Sequence, residues 1–179
     1  LTEVAFFESQ ERRAEKPLQG GRFISVLHLL SEGVLDFKAI DGYSPITPGY
    51  VVYPGEVLIS KINPRIPRVC VVPDFGVPTQ CSTEFEVLKP LTPMTSSELA
   101  FLLQTHEVQE QIQKLTSGTS SSHNRIKTRE LEKVFIPVPK PGSKNLSAHK
   151  KRMVQYQEAL EQAQAGLSKI AKIRSSLSK

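Results

Sequence analysis

The residue types best suited to catalysis lie in one acidic stretch. Asp74 is followed ten positions later by Glu84 and Glu86, in a Glu-Phe-Glu sequence. Metal-dependent nucleases often place an Asp before a Glu-x-Lys on adjacent strands, where the acids hold a divalent ion beside a lysine that polarises water. Here Lys89 lies one residue beyond that register. Acids on the exposed side of a half-buried strand explain the pattern equally well, so a metal-dependent endonuclease site at Asp74, Glu84 and Glu86 is only an alternative hypothesis.

The thiols and imidazoles do not form a recognisable metal site. Cys70 and Cys81 are eleven positions apart, and two cysteines are too few for a disulfide framework or a four-ligand zinc site. The four histidines show no metal-ligand spacing; they are His28, His106, His123 and His149. The sequence also lacks a phosphate-binding loop, a nucleophile elbow and a dinucleotide fingerprint. We therefore expect no metal, no cofactor, and two small apolar thiols in a reducing cytoplasm.

Positive charge is concentrated in three places. The formal net charge is +5, and residues 148–179 contain seven basic side chains against two acids. Two further stretches have no acid between their basic residues: Lys61, Arg65 and Arg68 in the first, and Lys114, Arg125, Lys127 and Arg129 in the second. Such clusters indicate a polyanionic partner, and the absence of a lipid-facing pattern favours nucleic acid over a membrane. Ordinary solvated faces are the alternative.

The second basic stretch contains a polar loop, with the sequence GTSSSHN at 118–124. Six consecutive side chains in it can form hydrogen bonds: Thr119, Ser120, Ser121, Ser122, His123 and Asn124. Uncharged polar groups can adapt to base edges at a low desolvation cost, while Arg125 and Lys127 contact phosphates beside them. We expect this loop to read sequence, with a flexible linker between helices as the alternative.

The first half of the chain reads as mostly β. Strands are predicted at 22–30, 57–62, 69–72 and 83–88, separated by turns rich in Gly and Pro. Thr95 and Glu98 then form a capping-box pattern ahead of a helix, and a second helix is expected at 107–115. A short helical turn at 129–134, an extended FIPVP segment at 135–139 and a hinge at 140–145 follow.

The last segment has the clearest period in the sequence. Apolar or small residues recur at alternating spacings of three and four, as in a coiled-coil seam, until a final gap of seven where Arg174 occupies a seam position. They are Met153, Tyr156, Leu160, Ala163, Leu167, Ile170 and Leu177. An amphipathic helix that lies on its own domain would show the same period. The preceding hinge and the polar outer face favour an exposed helix that pairs with another helix.

The order of these features resembles a known family. A GEVLIS segment at 55–60, an STEFEVL segment at 82–88 and a helical pair are followed by the GTSSS loop, FIPVP and the heptad helix. This order is similar to one half of the DNA-specificity subunit of type I restriction-modification enzymes, a target-recognition domain with one conserved helix. The similarity covers almost the whole chain. It implies an α/β (α+β) fold, with a twisted, mostly β domain and flanking helices at 1–141, then a long coiled-coil helix at 146–179.

The resemblance also implies a role in DNA recognition without catalysis. Members of the family bind a double-stranded DNA target and hold methyltransferase subunits, which transfer a methyl group from S-adenosylmethionine to adenine. A motor-nuclease subunit joins them for cleavage. The chain begins at Leu1, which we take as a sign of trimming. It resembles half a subunit that dimerises, part of a longer subunit, or part of a single-chain methyltransferase-nuclease.

Overall fold

Two sheets account for the β structure of this computed structural model, which describes residues 1–9, 11–30, 32–116, 124–140 and 142–177. The first sheet is antiparallel, in the order β1-β7-β4-β5. In the second, β6 lies between β2, to which it is parallel, and β3, to which it is antiparallel. The strands are β1 (Ala5–Phe7), β2 (Arg22–Ile24), β3 (Tyr50–Val52), β4 (Val57–Ser60), β5 (Val69–Val71), β6 (Thr79–Cys81) and β7 (Phe85–Pro90).

Strand β4 is central because both of its faces are buried, as its continuous apolar sequence predicts. Val57 and Ile59 belong to a core shared with the helices, whereas Leu58 belongs to a core shared with the second sheet. Successive side chains of a strand point to opposite faces. The four-stranded sheet is therefore the middle layer, between the helices and the three-stranded sheet.

The helices are α1 (Phe37–Asp41), α2 (Ser96–Leu103), α3 (His106–Lys114), α4 (Thr128–Leu131) and α5 (Lys144–Leu177). Thr95 caps α2 as its sequence predicts, because its side-chain oxygen accepts the Glu98 N–H at 3.2 Å. The mixed α+β architecture with a long C-terminal helix confirms the fold class expected from the sequence. No helix in the described part of the chain is long and apolar enough to cross a membrane.

The predicted strand at 22–30 is shorter than expected. Strand β2 ends at Ile24, and Val26–His28 forms one turn of 3-10 helix. Ser25 ends the strand because its side-chain oxygen accepts the Leu27 N–H and its own N–H donates to His28 Nδ1. Local hydrogen bonds of this kind compete with a sheet ladder.

Much of α5 lies on its own domain. His149 Nε2 is 3.2 Å from Glu98 Oε1, and the Tyr156 hydroxyl accepts a hydrogen bond from the Gln104 side chain. Further along, the Gln164 amide donates to the Leu35 carbonyl at 2.7 Å and accepts the Leu35 N–H at 3.2 Å. In this part of α5, the heptad period therefore reflects an amphipathic helix that lies on its own domain.

The seam residues divide by exposure. Met153, Tyr156, Leu160 and Leu167 are half-buried, whereas Ala163 is exposed. Ile170 is 49% exposed, and the side chain of Leu177 lies outside the described part. Ile173, three positions after Ile170, is 51% exposed. For the positions beyond Gln164, pairing with another helix therefore stays a prediction.

Candidate nucleic-acid interface

The two basic stretches, which are distant in sequence, lie side by side. Ile62 and Arg125 form an antiparallel bridge that extends the end of β4. The Ile126 N–H donates to the Lys61 carbonyl at 2.9 Å, and the Asn63 N–H donates to the Asn124 carbonyl at 3.0 Å. The structure thus brings Lys61 and the 63–68 loop together with the segment that follows the polar loop.

Alternation of side chains along residues 124–127 determines which residues of the second basic stretch face outward. Ile126 is only 1% exposed and belongs to the core beneath the helices, so its backbone is held firmly. Asn124 is half-buried, while its neighbour Arg125 points outward and is exposed, as is Lys127. The residues Thr119, Ser120, Ser121, Ser122 and His123 lie outside the described part of the chain, and their expected role in reading DNA stays a prediction.

The loop between β4 and β5 presents the first stretch. Asn63 has a positive φ of 49°, in the left-handed region that Asn tolerates better than most residues. The Ile66 N–H closes the turn onto the Asn63 carbonyl at 3.1 Å. The loop then rejoins the sheet where the Arg68 carbonyl accepts the Ser60 N–H at 2.9 Å.

Two arginines of this loop are the cations available to a ligand. Arg65 is exposed, and Arg68 is half-buried. Neither has an ion pair with any residue that the structure describes. The buried Nε of Arg68 also has no hydrogen-bond partner there. An arginine that keeps its donors unused suits an oxyanion such as a phosphate.

Lys61 differs from the other basic residues because it is directed inward. Its side chain is 12% exposed, and its ammonium lies 3.6 Å from Glu86 Oε2. It also lies 5.4 Å from the centre of the Tyr50 ring. Burial, and next the Glu86 carboxylate, raise the pKa of the Tyr50 hydroxyl. Lys61 thus neutralises a buried acid, and a role in DNA contact stays a prediction for it.

Glu86 is the centre of a buried polar network. It is fully buried, and the Thr128 hydroxyl donates to its Oε2 at 2.6 Å. The Ser9 hydroxyl donates to its other oxygen. A buried charge needs partners of this kind to offset its desolvation. The network fixes β7 to the N-terminal segment and to the start of α4.

Glu84 holds the outward-facing arginine. Arg125 Nη2 lies 2.7 Å from Glu84 Oε2 and 2.8 Å from Oε1, and the two side chains are 59% and 29% exposed. Both basic stretches are therefore free of acids in sequence only, because Glu84, just before β7, pairs with Arg125, and Glu86, on β7, pairs with Lys61. The Glu-Phe-Glu sequence marks both acids, but Glu84 lies before the strand and is partly exposed, whereas Glu86 lies on the strand and is fully buried.

The acids proposed for an endonuclease site do not meet. Asp74 follows β5 beyond the end of β4 where Val57 lies, whereas Glu84 precedes β7 at the end where Ser60 lies. Asp74 is exposed and accepts the Gly76 N–H at 2.8 Å. Among the described residues, no three His, Cys, Asp or Glu side chains are grouped as metal ligands. The geometry does not favour the endonuclease hypothesis.

Cys70 and Cys81 are free thiols, buried in the core between the two sheets. Burial raises the pKa of the Cys70 thiol to about 12, and it also raises that of Cys81. A thiol of this kind is inert towards exchange and metals, since the thiolate is the reactive form. Both cysteines therefore act as small apolar residues, as expected.

Comparison with known proteins supports the family resemblance at the level of the fold. No family model and no curated protein matches the sequence. Solved structures do match: the two-sheet domain with its long helix has the fold of HsdS specificity subunits of type I restriction-modification systems. The crystal structure of the HsdS subunit from Thermoanaerobacter tengcongensis aligns with a TM-score of 0.63 at 15% identity, covering 97% of this chain and 43% of that chain.

A second match comes from a structure that describes complex assembly and conformational transition of the type I R-M system. It has a TM-score of 0.48 at 19% identity, and it covers 90% of this chain and 36% of that chain. The chain thus spans less than half the length of either structure.

Proposed function

We propose that this chain recognises a double-stranded DNA sequence as one half of a type I specificity subunit. The observation that carries the proposal is the joining of the two basic stretches at one end of β4, on an HsdS-like fold. This interface contains five basic side chains and two acidic ones, so its net charge is positive. The basic residues are Lys61, Arg65, Arg68, Arg125 and Lys127, and the acidic residues are Glu84 and Glu86. A positive surface on a rigid scaffold attracts DNA and sets its register.

The division of labour follows from the contacts. Arg65, Arg68 and Lys127 are free of ion pairs to the described residues, which suits them to phosphates. Asn124 and the polar residues at 119–123 are the groups we expect to read base edges. We add Arg125 to them, in place of the phosphate contact predicted from the sequence, because it is paired with Glu84. Asn suits adenine and Arg suits guanine, and a good bidentate contact is worth about 1–3 kcal/mol of discrimination.

The proposal includes partners and assigns no reaction to the chain itself. Adenine methyltransferase subunits and a motor-nuclease subunit would act at the DNA that this chain selects. S-adenosylmethionine would be bound by the methyltransferase. The distal part of α5 would pair with the helix of a second copy or of the missing half, which would set the distance between two recognition domains.

The test is binding to duplex DNA as a function of salt concentration. The wild-type chain should bind random duplexes with an affinity that falls steeply with salt, at a log-log slope of about −0.9 per phosphate contacted. Arg65→Ala with Arg68→Ala should weaken binding to every sequence and make that slope shallower. Lys150→Ala with Lys151→Ala, which removes the same charge from an exposed part of α5, is the control and should have a smaller effect.

Three outcomes would contradict the proposal. One is an affinity for duplex DNA that does not depend on salt, and another is equal weakening by the two double variants. The third is cleavage of DNA by the purified chain with magnesium alone, which would support the endonuclease hypothesis instead.

A further inference from the structure

The ion pair between Glu84 and Arg125 has a consequence for how DNA is read. We propose that Glu84 is a specificity-determining residue: it orients Arg125 towards a base edge, and it makes Arg125 a poor phosphate contact. The inference rests on the proposed function and deepens it, because it assigns different tasks to arginines of one positive surface.

Both members of the pair are mounted on fixed backbone. The Glu84 N–H donates to the Ser82 side chain at 3.2 Å, and the Glu84 carbonyl accepts the Lys61 N–H at 2.7 Å. Arg125 lies in the bridge with Ile62, next to the fully buried Ile126. Recognition groups are most precise when regular backbone and a supporting contact hold them in advance.

The geometry leaves part of the guanidinium unused. Nη2 donates a hydrogen bond to Glu84 Oε1 at 2.8 Å and lies 2.7 Å from Oε2, which has no hydrogen-bond partner in the described part of the structure. In the described part of the structure, Nη1 and Nε of Arg125 have no recorded partner. The guanidinium is planar and rigid, so a carboxylate on one nitrogen fixes the direction of the remaining donors. Those donors can form the paired hydrogen bonds that arginine makes to O6 and N7 of guanine.

The negative charge of Glu84 makes a base edge a better partner for Arg125 than a phosphate. A phosphate that approaches Arg125 also approaches the Glu84 carboxylate, and like charges repel. The edge of a guanine is neutral, so it gains the hydrogen bonds without that repulsion. By contrast, Arg65 and Arg68 have no carboxylate partner among the described residues, and they keep the ordinary preference for phosphate.

We expect the fold to survive loss of this pair. Arg125 is 59% exposed, and exposed ion pairs contribute little to stability. Substitution of Glu84 should therefore change DNA binding in a folded protein. Glu86, two residues away, differs because it is fully buried in its own network.

The experiment compares binding to a selected duplex with binding to random duplexes. Wild-type chain first selects its motif from a randomised pool. Glu84→Gln removes the charge, Glu84→Asp keeps the charge but shortens the reach, and Glu110→Gln removes an equal charge from an exposed ion pair on α3. Thermal unfolding of each variant checks that the fold is intact.

We expect Glu84→Gln to bind random duplexes more tightly and to lower the ratio of selected to random affinity by about tenfold or more. Glu84→Gln should lose the preference for guanine at one position of the motif only. Arg125→Lys should lose the preference at that same position. Glu84→Asp should also lose this preference while random binding stays at the wild-type level. Glu110→Gln should keep the motif.

Two results would overturn the inference. One is a full motif and an unchanged affinity ratio in Glu84→Gln or in Glu84→Asp. The other is an Arg125→Lys variant that binds every sequence more weakly and keeps the full motif, which would make Arg125 a phosphate contact. Either result leaves the proposed function standing, whereas a wild-type chain that selects no motif from the pool contradicts the proposed function itself.

Discussion

The Thr128 hydroxyl donates a hydrogen bond to the Glu86 carboxylate at 2.6 Å, and this contact joins the start of α4 to the start of β7. Because Glu86 is fully buried, its two oxygens depend on protein donors. Thr128 comes shortly after Arg125, so the same contact also holds the backbone that presents the candidate interface.

The first prediction concerns this hydrogen bond. Thr128→Val keeps the shape of the side chain but removes the donor, so it should lower the free energy of unfolding by about 1.5–3 kcal/mol, the range for hydrogen bonds to charged groups. Chemical denaturation measures the change. Thr116→Val is the control, because the Thr116 hydroxyl donates to the Gln113 carbonyl at an exposed position. Equal stability of the two variants would show that Glu86 does not need Thr128.

The second prediction concerns the docking of α5. Tyr156 contacts Phe101, at 5.3 Å between ring centres, and Gln104; burial raises the pKa of its hydroxyl to about 12. Tyr156→Ala should lower the free energy of unfolding by about 1–3 kcal/mol, within the usual range for lost packing. It should also speed amide exchange between residues 149 and 164. The control is Gln155→Ala, whose side chain is exposed. Unchanged exchange in Tyr156→Ala would mean that other contacts hold the helix.

The elements that the sequence predicts well are the long or strongly patterned ones. Strand β4 has a continuous apolar run, and α2 has a capping residue and a buried face. The sequence does not predict strands β1, β3 and β6, whereas β2 and β5, which also have three residues each, lie within longer apolar or alternating segments that it does predict. The positions of β1, β3 and β6 depend on pairing with distant segments.

The candidate interface was predicted in part. Basic side chains can be found in sequence, but the acids that neutralise two of them lie in a distant part of the chain, and Arg125 follows Glu84 by 41 positions. A one-dimensional charge count cannot detect such pairs. The heptad seam is ambiguous for a similar reason, since docking on a domain and pairing with a helix both require one apolar face.

The third prediction tests helix pairing where α5 is exposed. Leu160 is half-buried and lies beside the domain, so it is a poor probe of association. Ile170 and Ile173 are 49% and 51% exposed, and Ile170→Glu with Ile173→Glu should abolish association. Burial of unpaired charge between two helices costs several kcal/mol.

Light scattering of the wild-type chain and its variants measures this effect. Val154 is equally exposed, at 49%, but it is neither a seam residue, as Ile170 is, nor about one helical turn from Ile170, as Ile173 is. Val154→Glu should therefore keep the wild-type mass, while the double variant should be monomeric. A wild-type chain that is already monomeric would show that two copies do not pair through this surface.

The last prediction concerns pH and the buried imidazole of His28. Desolvation lowers the pKa of His28 below its ordinary 6.5, and its Nδ1 accepts the Ser25 N–H at 3.1 Å, which requires an unprotonated nitrogen. The unfolded chain therefore binds a proton at a higher pH than the folded chain does. Stability linked to His28 is thus present above about pH 6.5 and is lost as the pH falls towards the lowered pKa of the folded state.

His28→Asn offers an oxygen acceptor to the same N–H and does not titrate in this range. The loss of unfolding free energy between about pH 7.5 and about pH 5.5 should therefore be smaller in this variant than in wild type. Chemical denaturation at the two pH values measures it. His106→Asn is the control, since the His106 side chain is 90% exposed beside Glu110. If His28→Asn loses as much stability on acidification as wild type does, another group is responsible, and His28 is protonated as readily in the folded chain as in the unfolded one.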